Sequence, residues 1–411
     1  MYPQTDNWIE RNRIAEPVGG KLMTPGYKLV LALVVIGFLA IIYRFAVGLG
    51  ASTSLSDGYP WGIWIAYDVV TGTAIACGGY AVALLVYIFN KGKYHPLVRP
   101  AVLTSALGYS LAGLAVAVDV GRPWNLWKVP LEIWKWNVNS VLLEVGVCIF
   151  AYTIVLWLEM SPAILDGWRR GDNEKLRVFA EKNLPFVQKM LLFVISLGVL
   201  LPTMHQSSLG GLMVIAGPRL HPLWFTPWLP LYFLITCVGM GYAVVAFETT
   251  AAAKFFKRPF DRPFLGLLEK LSTVTATGFV IFRLADVMAR GNLKYAFEAT
   301  HFAFFFWLET LLFMGPWLLR LFRTRITELQ RLLGSGMLVV TAGAVYRFDT
   351  FLIAFQPGPG WVYFPSLVEV LITVGLVATE AAAYIYIVRK FPILMGHPKQ
   401  SQIAATEVAP A

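Results

Sequence analysis

Long apolar runs, separated by short polar segments, organise the whole chain. A window of about 20 residues is enough to cross about 30 Å of hydrocarbon as a helix. Ten such runs lie near residues 28–48, 62–89, 100–120, 138–160, 186–205, 229–253, 270–290, 300–322, 331–355 and 366–388. Residues 1–27 are polar and contain no apolar core, which indicates that no cleavable signal peptide precedes the first run. The pattern predicts an all-α integral membrane protein with ten transmembrane helices.

The composition supports this class. Charged residues make up 14% of the chain and apolar residues 57%, whereas a soluble domain is about 25% charged. The three cysteines, Cys77, Cys148 and Cys237, lie far apart inside apolar runs. We therefore predict no disulfide framework, no metal site and no iron–sulfur cluster in this chain.

The basic residues predict the orientation of the helices. Of the 34 Lys and Arg residues, 25 fall in the two tails and the even-numbered loops, and six fall in the odd-numbered loops. By the positive-inside rule both termini are cytoplasmic, in a bacterial inner membrane. The net charge of +10 is thus a topology signal, and nucleic-acid binding is not predicted.

The outer loops are rich in Trp, Pro and Gly. Their aromatic segments are 57–64, 122–127, 133–136 and 222–228. Two interpretations remain open: an aromatic belt at the membrane interface, or a docking surface for a partner protein.

A weak internal repeat relates the two halves of the chain. The sequence Gly79-Tyr-Ala-Val82 recurs at 241–244, and Leu143-Glu144 recurs as Leu308-Glu309. Spans two to five and six to nine then form two pseudo-repeated four-helix bundles, with the first and last helices flanking them. The predicted units are a cytoplasmic tail 1–27, a flanking helix and loop 28–61, the bundles 62–228 and 229–365, a last helix 366–390 and a tail 391–411. A parallel repeat disfavours the inverted-repeat architecture of many transporters.

Polar groups at membrane depth are costly, so each is a candidate for function. Four neighbouring spans bring six of them toward the outer third of the first bundle: Asp68, Tyr109, Asp119, Arg122, Glu144 and His205. Asp68 and Glu144 are predicted about 9 Å below the outer surface. Such a cluster suits a polar head group with a lipid-embedded tail. The alternatives are an interfacial Asp119–Arg122 ion pair and a satisfied histidine at a helix end.

The second bundle repeats the theme, with Arg283, Asp286, Glu309, Arg347 and Asp349. A buried charge network that holds the helices together explains this set equally well. Glu159, Glu248 and Glu380 are predicted near the cytoplasmic ends of their spans, either as proton-relay groups or as ordinary interfacial residues.

The histidines argue against haem. A bis-histidine haem in a bundle needs histidine pairs at membrane depth. His205 lies at a span end, and the others, His95, His221, His301 and His397, lie in loops or the tail. No b-type haem is predicted.

The chain resembles the NrfD/PsrC family of integral membrane subunits of respiratory oxidoreductases, and most of all its HybB-type branch in periplasmic nickel–iron hydrogenases. The resemblance extends from about Gly19 to Pro392. The segments that carry it are Gly58–Asp68, Lys93–Pro100, Asp119–Asn125, Asn137–Glu144 and Leu201–Ser208.

This resemblance implies a haem-free subunit that anchors a periplasmic ferredoxin-like iron–sulfur protein and reduces menaquinone or another quinone. The quinone pocket would include Asp68, Asp119, Arg122 and His205, and Tyr109 and Glu144 would form a proton path. The catalytic partner would be a hydrogenase, a multihaem cytochrome c or a molybdopterin subunit. An ion-translocating transporter subunit and a purely structural anchor remain the alternatives of another class.

Overall fold

The computed structural model describes residues 15–256, 262–322 and 324–396. Within them, ten helices are long and apolar enough to cross a membrane. We number them α1 (Pro25–Val47), α2 (Trp64–Ile88), α3 (Val98–Asp119), α4 (Val141–Arg169), α5 (Glu174–Ala216), α6 (Leu229–Phe255), α7 (Arg262–Ala289), α8 (His301–Leu321), α9 (Glu328–Ile353) and α10 (Leu367–Lys390). The all-helical membrane fold predicted from the sequence is confirmed.

Short helices occupy the connections: Leu49–Ser52, Gly92–Leu97, Pro123–Asn125, Lys128–Leu131, Ile133–Lys135, Gly217–Arg219 and Leu293–Phe297. Isolated antiparallel bridges join Ala15 to Met395 and Leu220 to Phe355. The described part of the chain contains no β-strand.

The long helices pack as two sets of four. Helices α2 to α5 contact one another, as do α6 to α9, while α1 packs on α10, and α10 packs on α3. The two sets meet where α6 lies against α2 and α5. Here a Cβ atom on Gly241 would lie 2.5 Å from the Cys77 carbonyl oxygen, so the repeated Gly-Tyr motif lets the two first helices of the sets touch.

Two helices extend well beyond the apolar runs that predicted them. Helix α5 has 43 residues, a length of about 65 Å. Its charged first part begins at the cap residue Asn173, which accepts from the backbone N–H groups of Lys175 and Leu176. Helix α4 begins at Val141 and continues to Arg169. Glu144 therefore lies in the first turn of α4, less deep than the predicted span placed it.

Helices α2 and α9 each contain a π-helical segment that carries an aspartate. Trp64–Thr71 contains Asp68, and Asp349–Ile353 begins with Asp349. In the second segment the Ala354 N–H bonds to the Asp349 carbonyl at 2.7 Å, five residues back. The wider turn re-aims the side chains around it, and such segments are frequent at functional sites.

The connections 48–63, 120–140, 217–228, 290–300 and 354–366 lie at one end of the helices, which we call the Trp-rich end. Its loops are tied together: the Trp61 indole donates to the Phe351 carbonyl at 3.0 Å, and the Tyr363 hydroxyl donates to Glu369 at 2.6 Å. Burial raises the pKa of Tyr363, and its bond to Glu369 raises it further. Tyr363 thus remains a hydrogen-bond donor at neutral pH.

Candidate functional site

A fully buried histidine forms the centre of the first bundle. His205 Nε2 lies 3.2 Å from the Thr73 hydroxyl, which also accepts from the Gln206 amide at 3.1 Å. Thr73 donates its own hydrogen to the Val69 carbonyl at 2.7 Å, so its oxygen acts as an acceptor toward both neighbours. The network therefore places a hydrogen on Nε2 of His205 and leaves Nδ1 as a buried acceptor without a partner.

Two tyrosines complete this centre. The rings of Tyr109 and His205 meet edge to face at 5.5 Å, and those of Tyr109 and Tyr152 at 4.5 Å. The Tyr109 hydroxyl faces Gln206 without completing a hydrogen bond. The sequence placed Tyr109 and His205 in one polar cluster of the first bundle, and the structure brings their rings into contact.

Arg347 of the second bundle joins the same centre. Its guanidinium is fully buried and donates to Gln206 Oε1 at 3.2 Å, to the Phe233 carbonyl at 2.9 Å and to Thr236 at 3.0 Å. The sequence groups Arg347 with the other second-bundle charges. The structure places it at the boundary, with partners in both bundles.

Asp68 faces away from this centre, toward α10. Its carboxylate accepts from Thr373 at 2.7 Å. Further along α10, Glu380 interacts electrostatically with both Asp68 and Glu248, and Glu248 accepts from Thr104 at 2.7 Å. Three carboxyl groups thus follow α10 from near the Trp-rich end toward the opposite end.

The interfacial Asp119–Arg122 ion pair, an alternative that the sequence left open, is not formed between these two described residues. Arg122 is exposed and forms no ion pair with Asp119 in the described structure. The cation that interacts with Asp119 is Arg44 of α1, which is 3% exposed and donates to the Val120 carbonyl at 2.7 Å. One oxygen of Asp119 remains buried without a hydrogen-bonding partner.

Glu144 and Tyr109 are not brought together. Tyr109 packs on Tyr152, which lies eight residues, or about 12 Å, along α4 from Glu144. Glu144 itself is partly exposed in the first turn of its helix. The structure therefore does not assemble the proton path inferred from the resemblance.

The remaining second-bundle charges divide into two groups. Arg283 forms an ion pair with Glu309, and the Asp349 carboxyl interacts with that of Glu309. Asp286 instead pairs with Arg290 at 2.8 Å near the Trp-rich end, where Arg290 also donates to the Pro222 carbonyl at 3.0 Å. The five residues therefore do not form one network: Arg283, Glu309 and Asp349 come together, whereas Asp286 and Arg347 have other partners.

Several residues that contact His205 and Asp68 were not predicted from the sequence, because they carry no charge. Thr73, Gln206 and Thr373 make the contacts that place His205 and Asp68. Gln206 stands directly after His205, so its position was a usable signal. Thr73 and Thr373 offered none, since threonine is common in membrane helices.

No three His, Cys, Asp or Glu side chains within the described ranges come together as a set of metal ligands. His397, counted in the argument about haem, lies outside the described residues.

Comparisons with known proteins place these observations in a family. The family model described as polysulphide reductase, NrfD matches residues 51–356. The "Probable Ni/Fe-hydrogenase 2 b-type cytochrome subunit" of Escherichia coli (strain K12) is 40% identical over 387 residues, which are 92% of this chain and 95% of that protein.

More distant relatives belong to other complexes. The "Menaquinone reductase, integral membrane subunit" of Nitratidesulfovibrio vulgaris is 31% identical over 62% of this chain and 59% of its own length. The "Hdr-like menaquinol oxidoreductase integral membrane subunit" of Archaeoglobus fulgidus is 21% identical over 89% of this chain and 92% of its own. The chain belongs to the NrfD family of membrane subunits of respiratory oxidoreductase complexes.

Proposed function

We propose that this chain exchanges electrons between a redox partner and a quinone, at the buried centre formed by His205 and Tyr109. The observation that carries the proposal is the pair of buried polar atoms without partners, His205 Nδ1 and the Tyr109 hydroxyl. Buried polar groups normally have hydrogen-bonding partners, so two unpartnered atoms within one buried centre are candidate contacts for a ligand. A relative named as a menaquinone reductase subunit supports a quinone of the menaquinone class.

The two orphan atoms suit the two redox forms of such a head group. When bound, a quinone takes up two electrons and two protons. The Tyr109 hydroxyl is able to donate a hydrogen bond to a carbonyl oxygen, and His205 Nδ1 to accept one from a hydroxyl. Thr73 and Gln206 hold the imidazole, and Arg347 holds Gln206. The fixed tautomer leaves Nδ1 free to accept the hydrogen bond of a quinol hydroxyl.

We place the proton path along α10 rather than through Glu144. Glu248, Glu380 and Asp68 follow one another along α10 toward the Trp-rich end, and Asp68 shares α2 with Thr73, the residue that contacts His205. Carboxyl chains of this kind mark proton relays in membranes. Protons would enter at the end opposite the Trp-rich end, which the distribution of basic residues predicts to be cytoplasmic. Quinone reduction would then be electrogenic.

We propose that the Trp-rich end docks an iron–sulfur subunit outside the cytoplasm, linked to a hydrogenase, a cytochrome c or a molybdopterin enzyme. The connection 120–140 exposes Trp124 at 68% and Trp134 at 74%, and exposed tryptophans are typical interface anchors. The matching connection of the second bundle, 290–300, is about half as long. We keep the prediction of no haem, although one relative is named a b-type cytochrome subunit; a reduced-minus-oxidised optical spectrum of the purified subunit tests it.

The experiment compares two activities of the purified complex. Tyr109→Phe and His205→Gln should each lower quinone-linked turnover by at least tenfold while dye-linked turnover of the catalytic subunit persists. His205→Gln keeps a donor for Thr73 and removes the acceptor Nδ1. Tyr43→Phe on the exposed face of α1 is the matched control. Wild-type quinone turnover in both site variants would reject the proposal.

A further inference from the structure

Two carboxyl groups share one guanidinium deep in the second bundle. Arg283 is 3% exposed, and Glu309 and Asp349 are fully buried. Arg283 forms an ion pair with Glu309, and Asp349 lies against Glu309. The three side chains come from α7, α8 and α9, at similar distances from the Trp-rich end.

We propose that the Glu309–Asp349 carboxyl pair is a proton-binding site that holds one proton in the resting protein. Arg283 is always charged, because a guanidinium does not lose its proton in proteins. Two ionised carboxylates beside it would leave one uncompensated buried negative charge. An ionised group of this kind is far more costly than a neutral acid, so the pair binds a proton instead.

Among the described residues, the surroundings supply no second cation. Arg283 packs against the rings of Phe306 at 4.6 Å and Tyr346 at 5.1 Å, with Phe279 and Trp224 slightly farther. The Trp224 indole N–H also faces the Glu309 carboxyl without completing a hydrogen bond.

The charged groups nearest along the chain point elsewhere. Arg347, two residues before Asp349, donates to groups of the central cluster. Asp286 is occupied by Arg290. The charge balance of the site therefore rests on Arg283, Glu309 and Asp349.

The backbone of α9 departs from α-helical geometry at Asp349. Asp349 begins the π-helical segment of α9, and Thr350 donates to the Tyr346 carbonyl at 2.6 Å within the widened turn. Both carboxylate oxygens of Asp349 lack any other hydrogen-bonding partner. A hydrogen shared with Glu309 satisfies one of them.

Equivalent carboxyl groups of the internal repeat differ in burial between the two bundles. Glu309 matches Glu144 in the repeat, yet Glu144 is partly exposed in a first turn and Glu309 is fully enclosed. The second bundle thus carries a protonatable carboxyl in its interior, at the position equivalent to Glu144. The inference concerns this site alone and does not depend on quinone binding in the first bundle.

The test measures the carbonyl stretch of protonated carboxylic acids by infrared spectroscopy of the purified protein in liposomes. The Asp349→Asn spectrum is subtracted from the wild-type spectrum at neutral pH. The difference should show the carbonyl band of one protonated carboxylic acid, and that band should shift in D2O. Glu309→Gln should remove the same band, because the remaining carboxyl then ionises beside Arg283. The double variant should lose no more of the protonated-carboxyl absorption than either single variant loses.

Asp286→Asn, which alters an ion pair already complete in itself, is the control and should leave the band in place. Thermal unfolding of every variant reports that the fold is kept, and the amide substitutions should not destabilise it. Wild-type spectra without this band would overturn the proposal. So would a band that only one of the two single variants removes. A band that disappears when sodium replaces potassium would assign the site to a metal cation and also overturn it.

Discussion

The Arg347 guanidinium of the second bundle donates to the Gln206 side chain of the first, with Nη2 and Oε1 3.2 Å apart. Through Gln206 it reaches Thr73 and hence His205. One continuous set of hydrogen bonds therefore crosses the boundary between the bundles. The candidate quinone centre is held by both repeats, although its ring-bearing residues belong to the first.

This relationship predicts that Arg347 stabilises the contact between the bundles. Arg347→Met removes the donor to Gln206, Thr236 and the Phe233 carbonyl. Buried groups left without partners cost about 1–3 kcal/mol each. We expect the thermal midpoint in detergent to fall by several degrees.

Arg325→Gln, at an exposed arginine, should leave that midpoint unchanged. Equal midpoints for the Arg347 and Arg325 variants would show that the inter-bundle bonds are energetically unimportant.

The carboxyl groups along α10 predict a second set of variants. Glu248→Gln and Glu380→Gln remove protonatable groups while keeping side-chain volume, and Thr104 is still able to donate to residue 248. We expect quinone-linked turnover in liposomes to fall by at least tenfold, together with any membrane potential it generates.

Glu181→Gln, on the exposed first part of α5, is the control. Glu144→Gln compares the two routes directly. Loss of turnover in Glu144→Gln, with normal turnover in both α10-route variants, would move the path back to α4.

A buried histidine at the Trp-rich end predicts a pH dependence of stability. Burial, together with a smaller effect of the nearby His301, lowers the pKa of His221 to about 4. Its Nδ1 accepts from the Leu223 N–H at 3.3 Å, and its ring stacks on Phe302 at 4.1 Å. The unfolded chain, with an ordinary pKa of about 6.5, binds a proton first, so stability is lost as pH falls from about 6.5 to about 4.

The thermal midpoint measured across that interval should therefore fall in the wild type and fall less in His221→Asn, whose amide oxygen retains an acceptor for Leu223. A wild-type midpoint independent of pH in this interval would contradict the assignment.

The exposed tryptophans predict the docking surface. The double variant Trp124→Ala and Trp134→Ala should lose co-purification of the iron–sulfur partner, because truncating an interface anchor typically costs about 2 kcal/mol or more. Trp317→Ala is the control, since Trp317 is 40% exposed near the opposite end of α8. If the double variant retains the partner as well as Trp317→Ala does, the tryptophans belong to a lipid interface.

The fold was largely readable from the sequence, because about 20 apolar residues in a row have few alternatives to a membrane helix. The helix ends were harder to predict, because hydropathy detects only the apolar part of a helix. It therefore missed the first turns of α5 and placed Glu144 deeper in α4 than the structure does. The sequence predicted several residues of the candidate site but not which of them pair with one another. Asp119 meets Arg44 rather than the neighbouring Arg122, because which faces of α1 and α3 meet depends on packing that no local pattern encodes.

The measurement that tests the central claim most directly is a structure of the complete complex with a menaquinol analogue bound. The proposed function predicts the head group within the first bundle, with one hydroxyl oxygen within about 3.5 Å of His205 Nδ1 and the other oxygen facing the Tyr109 hydroxyl. A head group bound elsewhere, with His205 Nδ1 and Tyr109 still unpartnered, would contradict it.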